Sequence, residues 1–141
     1  MSEPAPGTVL PALNFGPISR TLLALYAGAS GDHDPVHIDI DFARAAGLPD
    51  VFAHGMLSFG VLSRVVTRWS GVAGLRSFRA RFVSITHVHD LITCRGTVAE
   101  YLDEAGERRV RIDLVVTAQD GRPTLTGEAV VAVDGLRDRP A

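Results

Sequence analysis

From Gly55 to about Trp69, in GMLSFGVLSRVVTRW, apolar side chains recur on nearly every side of a helical projection, and the charges, Arg64 and Arg68, fall only in the last turns. Cations at that end suit the helix dipole. A helix that is apolar almost all round has to be surrounded by protein. The segments after it alternate with period two: Phe78, Ala80 and Phe82 against Arg79 and Arg81, then Val110, Ile112 and Leu114 against Arg111 and Asp113, then Leu125, Ala129, Val131 and Val133 on one parity. This pattern predicts strands with one buried face. Glu104-Ala105-Gly106 and Asp120-Gly121 are turn signals between such runs. A short extended stretch around Val9 to Phe15 precedes them. The reading is an α+β chain: an antiparallel sheet of about five strands, the four C-terminal ones in meander order, curled around one central apolar helix with the helices on one face.

Ahead of the central helix, Ser19 is placed to cap a helix carrying Leu22, Leu23, Leu25 and Tyr26, which ends in AGASG. Asp39 or Asp41 can cap a short second helix through Phe42, Ala43 and Ala46, with Gly47 as its stop and Pro49 just beyond. Residues 1–7 and 134–141 are rich in proline, glycine and charge and read as loose ends. With 141 residues, 46% of them hydrophobic, the remainder makes one domain over 8–133.

Composition narrows the chemistry. All 14 basic residues are arginines, which removes Schiff-base catalysis, a lysine general base and a phosphate-loop lysine. A net charge of -2 gives no basic field for nucleic acid or an anionic membrane. Cys94 is the single cysteine, so it forms no intrachain disulfide or thiolate cluster and reads as a buried core thiol. No stretch approaches the roughly 18 apolar residues that span a bilayer. The start of the chain lacks a charged, then apolar, export signal, so the expected location is cytoplasmic.

Gly31-Asp32-His33-Asp34-Pro35-Val36-His37-Ile38-Asp39 holds three carboxylates and two of the five histidines in nine positions. Pro35 disfavours helix at Asp34, so a turn has to bring Asp32 and His37 together, and Gly31 and Pro35 supply one. An aspartate beside an imidazole at the mouth of an apolar cavity suits general acid and base work. The same side chains could instead make only turn and cap hydrogen bonds. A zinc site from His33, His37 and His54 is disfavoured, because Pro35 breaks the helix that would align the first two. A calcium loop fails, because Val36 and His37 stand where it needs an oxygen ligand and a glycine.

His54-Gly55-Met56 opens the central helix. A glycine there leaves its N–H approachable at the positive end of the dipole, the arrangement that stabilises an oxyanion, although it also serves as an ordinary tight entry. Ser63 is a small polar residue further along the helix.

Read together, YAGASGDHDPVHIDIDFARAAG followed by FAHGMLSFG resembles the MaoC-like family of hot-dog-fold hydratases and dehydratases, which includes (R)-specific enoyl-CoA hydratases and actinobacterial 3-hydroxyacyl dehydratase subunits. The resemblance implies a hot-dog fold and interconversion of trans-2-enoyl and (R)-3-hydroxyacyl thioesters of CoA or acyl carrier protein, with no metal or redox cofactor. It makes Asp32 and His37 the catalytic pair, gives Gly55 the thioester carbonyl, and places Ser63 where a serine assists in some members. His54 and Asp34 are further candidates for assisting roles. The family usually has asparagine where Asp34 stands; a second negative charge beside Asp32 either favours the acid role of the pair or marks a divergent substrate.

A hot-dog thioesterase is the first alternative, but no Asp or Glu lies between Gly55 and Trp69 to activate water for hydrolysis. A non-catalytic subunit or an acyl-binding module would not need the Asp32–His37 pair. Arg76, Arg79 and Arg81 could meet CoA phosphates or an acidic carrier, but alternation first makes them the solvated face of a strand. One short unit can hardly enclose a CoA thioester, so a homodimer, or a heterodimer with a related subunit, is expected to complete the site.

Overall fold

A computed structural model of the chain describes residues 4–134. Five antiparallel strands, β1 (Leu13–Phe15), β2 (Leu75–Phe82), β3 (Ile92–Glu104), β4 (Glu107–Ala118) and β5 (Pro123–Ala132), form one sheet in the order β1-β3-β4-β5-β2. Helices α1 (Arg20–Ser30) and α2 (Ile40–Ala45) precede α3 (Gly55–Ser70), which touches every strand. The curled sheet around a central helix is the α+β arrangement that the patterning predicts.

Local chemistry sets the ends of these elements. Ser19 Oγ accepts from Leu22 N at 3.0 Å and starts α1, and Asp39 Oδ1 accepts from the N–H groups of Asp41 and Phe42 to start α2. The β3–β4 turn falls at Ala105 and Gly106, both with positive φ. Leu57, Val61, Leu62, Val65 and Val66 of α3 are buried against Ile92, Cys94, Val110, Ile112, Leu125 and Val131 of the sheet. Each aliphatic side chain removed from water contributes about 1.5–3 kcal/mol before entropy is counted. Burial pushes the Cys94 thiol up to about 12, which keeps it protonated.

Three expectations are corrected. The C-terminal strands are not a simple meander, because β2 pairs with β5 and the connection through residues 83–91 carries the chain across to β3. Alternation marks which face of a strand is buried and carries no information on strand order. Helix α3 is also not covered all round: Met56, Gly60, Arg64 and Arg68 form an exposed line at four-residue spacing. Phe82 keeps the inward parity of β2 but stands at its end, 52% exposed.

At the N-terminus, Gly7 N donates to Val98 O at 2.8 Å and the Tyr101 hydroxyl donates to Pro4 O at 2.7 Å, so residues 4–7 are tied along β3. The rest of the segments read as loose ends, 1–3 and 135–141, lies outside the described residues. No helix among the described residues is long and apolar enough to cross a membrane.

Candidate active site

Helix α1 ends at Gly31, whose φ of 77° lies in the left-handed region and whose N–H donates to Ala27 O. A residue with a β-carbon would be strained there. The chain then reverses through a ladder of short side-chain bonds: Asp32 N donates to Ser30 Oγ at 3.2 Å, Asp34 N to Asp32 Oδ1 at 3.3 Å, and Val36 N to Asp34 Oδ1 at 3.0 Å. Pro35–His37 makes one turn of 3-10 helix with Asp34 as its cap. The loop carboxylates therefore do serve turns and caps. The same turn swings His37 back towards Asp32.

A carboxylate oxygen of Asp32 and ring nitrogens of His37 and His54 all lie within 4.8 Å of one another. Asp32 is exposed, whereas His37 is 8% and His54 1% exposed. His37 Nδ1 is 2.7 Å from Phe52 O. A carbonyl oxygen only accepts, so Nδ1 carries the proton and Nε2 is left as the acceptor of a neutral ring. His54 has the opposite tautomer: its Nε2 lies 3.1 Å from the main-chain oxygen of Asp32 and donates to it. The two imidazoles stack at 4.0 Å with 28° between their planes, Phe52 meets His37 edge-on at 4.7 Å, and Tyr26 meets His54 edge-on at 4.8 Å.

Burial holds His54 below the ordinary imidazole range; the bond to the Asp32 main chain opposes this, and the neighbouring His37 reinforces it. Two imidazolium ions at that stacking distance would repel by about 4 kcal/mol at an effective dielectric of 20. Burial therefore favours a neutral His54 ring against the face of His37.

A metal fits this cluster poorly. Ring-nitrogen lone pairs lie in the ring planes, so two stacked imidazoles cannot both aim at one ion at about 2.0–2.1 Å. His33, the remaining histidine of the zinc reading, is exposed.

Gly55 follows His54 as the first residue of α3, and His54 makes no side-chain cap bond there. The first intrahelical bond runs from Leu57 N to His54 O, so the N–H groups of Gly55 and Met56 come ahead of it, at the positive end of the dipole. An antiparallel bridge between Phe52 and His87, with Ala53 N donating to Thr86 O at 2.9 Å, fixes this corner from the side. The Phe82 ring lies across Gly55, so that a β-carbon there would stand 2.7 Å from Cε1.

Ser63 is not brought to the cluster. It lies about 12 Å along the helix from Gly55 at 1.5 Å per residue, and its hydroxyl donates to Gly60 O at 2.7 Å. A hollow of about 420 Å³ opens at the other end of α3, lined by Gly71, Gly74, Arg76 and Glu107 among others, and holds none of the loop residues. The carbonyl of Phe52 and the ring of Phe82 were not legible as site components: a main-chain acceptor leaves no mark in sequence, and Phe82 read only as a strand position.

The chain matches the family described as "MaoC like domain" over residues 2–120. It is 31% identical to the (R)-specific enoyl-CoA hydratase of Rhodospirillum rubrum over 82% of this chain and 80% of that protein. It is 30% identical to the 3-oxo-4,17-pregnadiene-20-carboxyl-CoA hydratase beta subunit of Mycobacterium tuberculosis over 94% of this chain and 96% of that one. Among solved structures, unliganded R-hydratase PhaJ1 from Pseudomonas aeruginosa superposes with a TM-score of 0.78 at 28% identity, over 91% of this chain and 81% of that chain. Fungal fatty acid synthase beta subunits match as well, and of the one from Aspergillus oryzae the chain spans 4%.

Proposed function

The chain belongs to the MaoC-like dehydratase family, and from that membership we propose that it is a hydro-lyase interconverting trans-2-enoyl and (R)-3-hydroxyacyl thioesters of CoA or acyl carrier protein. One observation carries the reading: a carboxylate oxygen of Asp32 and a ring nitrogen of His37 lie within 4.8 Å of each other. Two hydrogen bonds of about 2.8 Å meeting at one water span about 4.5–4.8 Å, so a single water can be held by both groups.

In hydration, His37 Nε2 is the base, because its Nδ1 proton is committed to Phe52 O. The water oxygen bonds to C3 as a water proton passes to the pair. Electrons of the C2–C3 double bond move onto the thioester oxygen as an enolate, and C2 then takes a proton from the pair on the same face. Dehydration runs the steps backwards, with the pair protonating the departing hydroxyl. Enolate charge collects at the thioester oxygen, so the Gly55 N–H at the start of α3 stabilises the transition state more than the ground state.

A second subunit completes the substrate site, as a homodimer or with a related partner. Supporting this, β2 is an edge strand with one side unpaired among the described residues, and Phe82, Val83 and Ile85 expose apolar surface at and just beyond its end, with Phe82 against Gly55. A single buried thiol accords with a cytoplasmic enzyme.

The test follows the absorbance of the conjugated thioester in crotonyl-CoA and longer 2-enoyl-CoA substrates. Wild type should consume it without releasing thiol, and Asp32→Asn and His37→Gln should each lower turnover by about 10²–10⁴-fold. Release of free thiol would identify a thioesterase instead, and unimpaired turnover in both variants would remove the pair from the mechanism.

A further inference from the structure

Two buried polar atoms have no hydrogen-bond partner among the described residues: Nδ1 of His54 and Oγ of Ser58. They belong to residues 1% and 0% exposed, His54 being the N-cap just ahead of α3 and Ser58 lying in its first turn. The state of His54 follows from its other contacts. Its Nε2–H is committed to the Asp32 main-chain oxygen, so in the neutral ring Nδ1 is a bare acceptor. A serine hydroxyl is a donor that rotates freely about its C–O bond, so it can supply what Nδ1 lacks through one bridging water.

The groups facing His54 are Tyr26 from α1, Asp32 and Asp34 from the loop, and His37 from the 3-10 turn. Its ring is thus the common wall of the acid–base pair. One nitrogen holds the backbone that carries Asp32, and one face packs on the imidazole of His37.

We propose that His54 is a positioning residue for Asp32 and His37, fixed in its Nε2–H tautomer by the Ser58 hydroxyl behind it. The inference rests on the hydro-lyase reading for its kinetic consequence, whereas the tautomer and the placement of the His37 ring stand on geometry. A neutral His54 lets His37 accept and release its proton without a second charge against its face. A displaced Asp32 or a turned His37 would no longer share one water.

The experiment compares His54→Phe, His54→Gln and Ser58→Ala with wild type, using enoyl-CoA kinetics, melting temperature and nitrogen NMR of 15N-histidine protein. Phenylalanine keeps the stacked ring and loses the donor, so kcat should fall by about 10–100-fold with KM little moved. Glutamine places an amide N–H near the lost Nε2 and should recover most of that loss. The NMR should show His54 protonated at Nε2 and bare at Nδ1 near neutrality, and Ser58→Ala should mix the tautomers and lower kcat by about 3–10-fold. Wild-type kcat in His54→Phe, or a His54 proton on Nδ1, overturns the proposal. An unchanged tautomer and kcat in Ser58→Ala overturns the part given to Ser58. If His54→Phe does not fold, the glutamine and Ser58→Ala arms carry the same decision. A wild type that hydrates no enoyl thioester would remove the proposed function, and the tautomer would still decide the placement of His54.

Discussion

A methyl group on Gly55 would stand 2.7 Å from Cε1 of Phe82. The obstacle is the far end of a half-exposed side chain, so the ring can yield and folding should lose little. The cost should fall on chemistry, because the ring and the helix N–H share one corner. Gly55→Ala is expected to lower kcat/KM by about 10–100-fold, and a double-mutant cycle with Phe82→Ala should show about 0.5–3 kcal/mol of coupling. Additive effects would mean that the ring does not bear on the work of Gly55.

Asp34 is tested by separating its charge from its capping oxygen. Asn offers the same acceptor to Val36 N, so Asp34→Asn should leave the melting temperature almost unchanged. Asp34→Ala removes the acceptor and should cost about 1 kcal/mol, or about 3–4 °C for a chain of this size. Calorimetry on both variants decides it. Equal destabilisation would show that the loop needs the charge and not the oxygen.

The parts legible in sequence were those with a local physical signature. Asp32 and His37 could be brought together because Gly31 and Pro35 force a turn between them, the β4 and β5 core positions followed from alternation, and Cys94 read as buried because a lone thiol behaves as a small apolar side chain. What escaped depends on tertiary placement. The β2–β5 pairing is set by the path of residues 83–91, where Asp90 Oδ2 takes the His87 N–H at 2.8 Å and pairs with Arg122 at 3.1 Å. Arg122 lies 32 residues from Asp90, a pairing that no periodicity records. The exposed line on α3 was masked because Met56 and Gly60 count as apolar, and His54 read as a helix entry because its bond to the Asp32 main chain has no residue signature.

The depressed proton affinity of His54 makes stability depend on pH. Burial places its folded value below the ordinary 6.5, so the unfolded chain binds the proton first as pH falls. Its contribution is complete above about pH 6.5 and is lost as the pH drops from there towards the folded value, at up to about 1.4 kcal/mol per pH unit. Melting temperature should therefore decline more steeply below pH 6.5 in wild type than in His54→Gln. Parallel curves for the two proteins would locate the acid sensitivity elsewhere.

The arginines of β2 divide by their partners, and the division predicts which one is available to a CoA phosphate. Arg76 binds Glu107 through two bonds of 2.6 and 2.8 Å, and Arg79 binds Glu128 at 2.6 Å. Arg81 makes no ion pair among the described residues, and it is exposed on the outward face at the end of β2. A guanidinium without an acidic partner keeps its charge and donors for phosphate, whereas its neighbours would first have to break bidentate or shared bonds. Arg81→Ala should raise KM for an enoyl-CoA by about 10-fold, the equivalent of about 1.4 kcal/mol, and the rise should shrink at high salt. Arg79→Ala should raise it far less. The matching pantetheine thioester has no nucleotide phosphates and should be blind to both substitutions. An equal loss with pantetheine would mean that Arg81 shapes the strand and not the phosphate contact.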